Sequence, residues 1–145
     1  MRLPAGQDST AALRPGLAGY LRAVAVAVGV PSDGTSYEIS DTATAYLALA
    51  RRWPRRPGHD LMLEWGERTG WALAVETAPA ETAEVLAYLG GGDVVPPPEE
   101  VARFVTAVIA GAEFTRDRPA FDHHDRHALA GRLAHYAARS RLRIL

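Results

Sequence analysis

Residues 60–77 read DLMLEWGERTGWALAVET, and their alternation decides the fold class. Leu61, Leu63 and Trp65 alternate with Asp60, Met62 and Glu64. Trp71, Leu73 and Val75 alternate with Ala72, Ala74 and Glu76. A period of two is the mark of strands. The link Gly66-Glu67-Arg68-Thr69-Gly70 has the length and glycines of a hairpin loop. Residues 60–77 are therefore expected to form an antiparallel hairpin.

Upstream, Ala43–Arg51 (ATAYLALAR) reads as a further strand with Ala45, Leu47 and Leu49 on one face, although its propensity also suits a helix. Thr35–Ile39 is a short β-prone run. Before it, residues 1–12 are polar and without period, and read as a flexible tail. Pro15 is expected to open a helix with a stripe of Leu17, Tyr20, Leu21, Val24 and Val28, ended by Gly29 and Pro31.

Downstream the period returns to that of a helix. One helix is expected over Glu81–Leu89, stopped by Gly90-Gly91-Gly92. A second is opened by the last of Pro96-Pro97-Pro98, with Val101, Phe104, Val105, Val108 and Ile109 on one stripe, and is closed by Gly111. A third runs from Asp122 through Leu129, Leu133 and Tyr136 to about Ser140. The expectation is one α+β domain over residues 13–145. Its N-terminal helix is followed by a three-stranded antiparallel meander and then three helices packed on the sheet.

Composition narrows the function classes. At 48% apolar over 145 residues, the chain can bury a core. It has no cysteine, which removes disulfides, thiolate metal sites and thiol nucleophiles. All 16 basic residues are Arg, so no lysine Schiff base or P-loop lysine is available. No uninterrupted apolar run approaches the length of a membrane span, so no membrane association is expected. The apolar run Ala23–Val30 lies too far from the start for a secretory signal, and a cytoplasmic location is expected.

Several blocks together resemble a known family. They are Gly19-Tyr20-Leu21-Arg22-Ala23-Val24, Tyr46-Leu47-Ala48-Leu49, Leu61-Met62-Leu63-Glu64-Trp65, Gly70-Trp71-Ala72-Leu73-Ala74-Val75-Glu76, and the triple proline leading to Val101-Ala102-Arg103-Phe104-Val105. The set is similar to an uncharacterised actinobacterial family, the domain-of-unknown-function family numbered 6292. The likeness covers roughly Leu17 to Ala110 and rests on core motifs. It implies a shared fold and brings no activity, cofactor or catalytic residue.

Three constellations are candidates for function. The first is Arg51-Arg52-Trp53-Pro54-Arg55-Arg56, expected on a loop, where guanidinium groups and an indole could hold nucleic acid or another polyanion. The basic C-terminal stretch with Arg132, Arg139, Arg141 and Arg143 could extend that patch. A net charge of −1 argues against a dedicated duplex binder. The second is the sheet face opposite the core, carrying Tyr46, Ala48, Met62, Ala72 and Ala74. An alanine-paved face suits close approach by another element: one of the C-terminal helices, or else a partner protein or a second copy of the chain. The third is Asp122-His123-His124-Asp125-Arg126-His127. His123 and His127 stand at i and i+4 and could share a metal, whereas Asp122 as an N-cap explains the segment without one.

No Gly-x-Ser-x-Gly elbow and no strand-to-helix phosphate loop is present. The expected function is a non-enzymatic protein-interaction module without a cofactor, its partner another protein or a second copy of the chain. Polyanion binding through the Arg-Trp loop is the alternative.

Overall fold

The computed structural model describes residues 5–76, 83–121 and 126–144. Helix α1 (Ala5–Val28) precedes strands β1 (Thr35–Ile39), β2 (Ala43–Trp53), β3 (Arg56–Gly66), β4 (Gly70–Val75) and β5 (Glu84–Tyr88). Helices α2 (Pro98–Ile109) and α3 (Arg126–Ile144) follow. The strands form one antiparallel sheet in sequence order, β1-β2-β3-β4-β5. The α+β class and the N-terminal helix stand as expected. The three-stranded meander is a five-stranded one, and two α-helices follow it in place of three.

The segment expected as a helix around Glu81–Leu89 supplies β5. The reason lies in β4, whose six residues are all buried. A strand buried on both faces cannot leave one edge of amides and carbonyls unpaired. β5 satisfies that edge, with Ala72 opposite Tyr88, Leu73 opposite Ala87 and Val75 opposite Glu84. Tertiary demand thus overrides the local helical preference of Glu-Val-Leu-Ala-Tyr.

α1 begins at Ala5, so residues 5–12, expected in the tail, belong to the helix, and Pro15 lies inside it. Proline has no amide to offer the Ala11 carbonyl. Arg14 and Pro15 are exposed, which leaves water to take that bond. The helix ends as expected at Gly29, whose φ is +82°. The Gly29 amide donates to Val26 O and the Val30 amide to Ala25 O, a Schellman closure. α2 repeats it: Gly111 donates to Val108 O and Ala112 to Ala107 O. Pro98 opens α2, and Val101, Phe104, Val105 and Val108 are buried as the stripe implied.

The core is one continuous cluster. Leu47, Leu61, Leu63, Trp65, Trp71 and Leu73 from the inner sheet face meet Leu13, Leu17, Tyr20 and Val24 of α1, Phe104 of α2 and Leu133 of α3. By length and composition alone, Ala11–Val28 is long and apolar enough to cross a membrane. Its mean tolerates Arg14 and Arg22. Here the same window carries core residues.

α3 packs along α1 at close range. A Cβ on Gly16 would stand 2.8 Å from the Leu133 backbone, and one on Gly19 would stand 2.6 Å from Tyr136 O. Absence of side chains at these two positions lets the helix backbones touch. Polar groups then fix the Pro-rich connector against this core. Trp71 Nε1 donates to the Tyr20 hydroxyl at 3.0 Å, Tyr20 donates to Pro96 O at 2.6 Å, and Trp65 Nε1 donates to Val94 O at 2.7 Å.

Candidate recess on the outer sheet face

Period-two alternation turns the other side chains of the strands away from this core. Register carries one rung across all five strands: Ser36, Tyr46, Glu64, Ala72 and Tyr88. The rung beside it holds Glu38, Thr44, Gly66 and Gly70. The small residues Ala72, Gly66 and Gly70 leave space between larger neighbours, and the result is a recess of about 630 Å³.

Residues 115–121, which follow α2, form one wall through Arg118. The Tyr88 amide donates to Thr115 O, and further along the Phe121 amide donates to Arg68 O, both at 2.8 Å. Phe121 packs where a Cβ on Gly70 would come within 3.0 Å of its ring, and Gly70 has φ +72°. These two anchors hold Arg118 between them, at the recess.

Charged and phenolic groups in this recess lack partners among the described residues. Glu64 is half-buried, and among the described residues its carboxylate has no hydrogen bond or ion pair. Desolvation pushes its pKa above the usual value of 4.5. Burial likewise raises the Tyr46 phenol, and the carboxylates of Glu76, Asp60 and Glu64 raise it further. Tyr88 is only 7% exposed, and its hydroxyl has no hydrogen-bond partner among the described residues. Arg118 is exposed and has no ion-pair partner among them.

A family model described as a family of unknown function, DUF6292, matches residues 20–107, more than half of the chain. The chain belongs to the DUF6292 family. Comparison with curated proteins and with solved structures gives no match. The matched segment of this DUF6292 chain holds the whole sheet and every lining residue of the recess except Arg118. Arg118 and α3 lie beyond it.

The face expected as a partner interface is present in the DUF6292 chain, with different accessibility along it. Tyr46 and Ala48 are half-buried. Met62, Ala72 and Ala74 are 6%, 4% and 0% exposed, although they stand outside the main core. Ala72 is recess floor, and Ala74 offers no surface.

The expected Arg loop is largely strand. β2 and β3 run on past their neighbours as a two-stranded arm, pairing Arg52 with Asp60 and Trp53 with Arg56, and only Pro54-Arg55 makes the turn. The register shifts between Ala48 and Arg52, where Ala50 takes φ 54°. Such a bulge bends a strand. Trp53 joins the core with its ring beneath the Arg55 guanidinium at 5.7 Å, so its indole is not a free stacking platform. Arg51, Arg52 and Arg55 are exposed. The Arg56 side chain lies outside the described residues, as do those of Arg139, Arg141 and Arg143. Arg132 is committed elsewhere, in a two-pronged ion pair with Asp93 at 2.5 and 2.7 Å.

His123, with Asp122, His124 and Asp125, lies outside the described residues. His127 is exposed in the first turn of α3. Among the described residues no cluster of three potential metal ligands forms.

Sequence reasoning missed Glu67. Its side chain turns into the fold, only 3% of the residue exposed, accepting the Ala43 amide at 2.7 Å and the Arg126 guanidinium at 2.9 Å. Arg126 also donates to Ser40 O at 2.5 Å. A polar residue in a hairpin loop carries no sequence signal for such burial, because its partner lies 59 residues away.

Proposed function

We propose that this DUF6292 protein is a non-enzymatic interaction module whose working surface is the recess on the outer sheet face. One observation carries the reading: the Tyr46, Glu64, Ala72, Tyr88 rung lines an open recess with polar groups that have no partner among the described residues. Buried polar groups are ordinarily satisfied, and a partner inserting a side chain would satisfy these. The partner is a polypeptide, including a second copy of this chain. The burial of Ala72 and Ala74 favours insertion into the recess over flat stacking of two alanine faces.

A fragment set titrated against isotope-labelled protein tests this. Binding is expected to shift the amides of Tyr46, Glu64, Ala72 and Tyr88, and to vanish in Ala72→Phe, which fills the floor. Fragments that bind only elsewhere, or that bind Ala72→Phe equally well, would contradict it. Light scattering tests the self-associating form directly, since a mass of 15.6 kDa at every concentration is a single chain.

A second reading rests on the exposed guanidinium groups of Arg51, Arg52 and Arg55 on the β2–β3 arm, where Arg52 has Asp60 at 4.0 Å. Polyanion binding there would weaken steeply with salt and fall in an Arg51→Ala, Arg52→Ala, Arg55→Ala triple variant. Absent or salt-insensitive binding rejects it.

A further inference from the structure

We infer that the recess receives an organic cation, the guanidinium or ammonium end of an Arg or Lys side chain on a partner polypeptide. This rests on the recess being the binding surface and names the chemistry it selects. The first argument is charge. Glu64 lines the recess half-buried and without a counterion among the described residues, whereas Asp60, further along the face, has Arg52 at 4.0 Å. Removing a carboxylate from water without compensation is unfavourable, and a cation beside it supplies the compensation.

The second argument is shape. Tyr46 is one strand from Glu64 and Tyr88 is two, with Ala72 between Glu64 and Tyr88. Strands lie about 4.8 Å apart, so the gap over Ala72 is roughly 10 Å wide from strand β3 to strand β5. A planar guanidinium or a single ammonium fits that gap, with the carboxylate on one side and a phenol on the other. Aromatic rings favour such cations, and tyrosine hydroxyls offer acceptors to their N–H groups. Tyr88, nine-tenths buried with its hydroxyl unpartnered among the described residues, is a ready acceptor.

Openness and the wall residue narrow the source. The recess continues past exposed Ser36 and Glu38 on the edge strand β1, which leaves room for the backbone that carries the side chain. Arg118 stands at the opposite wall, beyond β4. It opposes a second positive charge, so the site selects one cationic group rather than a run of them.

The test titrates the full chain, isotope-labelled, with four probes: ethylguanidinium, n-butylammonium, Ac-Gly-Arg-Gly-NH2 and Ac-Gly-Glu-Gly-NH2. The two free cations and the arginine peptide are expected to shift the amides of Tyr46, Glu64, Ala72 and Tyr88, while the glutamate peptide does not. The arginine peptide is expected to bind at least about fivefold more tightly than ethylguanidinium. Glu64→Gln, with its spectrum otherwise intact, is expected to weaken all cation binding by about tenfold, and Arg118→Ala to strengthen it about twofold. No saturable shift at those amides, or equal binding by Glu64→Gln, overturns the inference. Ethylguanidinium binding as tightly as the peptide assigns the site to a free small cation and overturns the polypeptide source. Neutral or acidic fragments binding at the same amides would reject the cation and retain the recess as the working surface. Shifts confined to Arg51–Arg55 would reject both.

Discussion

The Glu67 carboxylate holds the Arg126 guanidinium at 2.9 Å and thereby ties the β3–β4 turn to the first turn of α3. The same carboxylate oxygen accepts the Ala43 amide, so one buried group joins β2, the β3–β4 turn and α3. Glu67→Ala leaves the partly buried Arg126 and the Ala43 amide without this acceptor. Truncating one member of a buried pair costs about 3–5 kcal/mol; since the Arg126 side chain is 21% exposed, a loss near the lower end, about 3 kcal/mol, is expected. Urea unfolding measures it. A loss under about 0.5 kcal/mol would show that the pair is not structural.

At Gly19 the backbones of α1 and α3 are in close contact. A Cβ there would lie 2.6 Å from Tyr136 O, and the obstacle is backbone, which cannot rotate away. Gly19→Ala is expected to cost about 1–3 kcal/mol through displacement of α3, despite the better helix propensity of alanine. Thermal unfolding gives the sign. A stabilised variant would mean that the helices can separate freely.

Tyr20→Phe keeps the ring and removes one oxygen. The Trp71 indole N–H and the Pro96 carbonyl both lose their partner at that oxygen. A loss of about 1–3 kcal/mol is expected, because buried polar groups are left unsatisfied. Hydrogen exchange of the Trp71 indole should quicken in the same variant. An unchanged rate and stability would contradict the network.

Glu64 sets a pH dependence of definite sign. Its pKa in the fold is raised by desolvation, so the folded state favours the protonated acid. That contribution is present in acid and is lost as pH rises through the raised pKa. Glu64→Gln is therefore expected to be more stable than the parent at pH 7, and its advantage to shrink as pH falls toward the ordinary value of 4.5. Thermal melts of both proteins across pH 3–7 check this. A variant less stable at pH 7 would mean that the carboxylate has a favourable partner in the fold.

Much of the fold is legible in the sequence where one element's own pattern decides its state. The alternation of Leu61, Leu63 and Trp65, the α2 stripe and the glycine stops at Gly29 and Gly111 all appear in the structure. What failed was decided at a distance. β5 exists because buried β4 needs a second partner, and residues 5–12 join α1 ahead of Pro15. The candidate site was half legible: alternation placed Tyr46, Met62 and Ala72 on the outer face, with Glu64 in the same parity. It could not reveal that Tyr88, read as part of a helix end, would stand on the same rung, nor that residues 115–121 would bring Arg118 to the recess.

The central claim is that Glu64, without a counterion among the described residues, receives a cation in the recess. The most direct measurement is an NMR titration of the Glu64 side-chain carboxyl against pH, alone and with saturating Ac-Gly-Arg-Gly-NH2. A pKa above 4.5 in the free protein, falling when the peptide is present, is the expected result. A pKa at or below 4.5 in the free protein, unmoved by the peptide, would contradict the account.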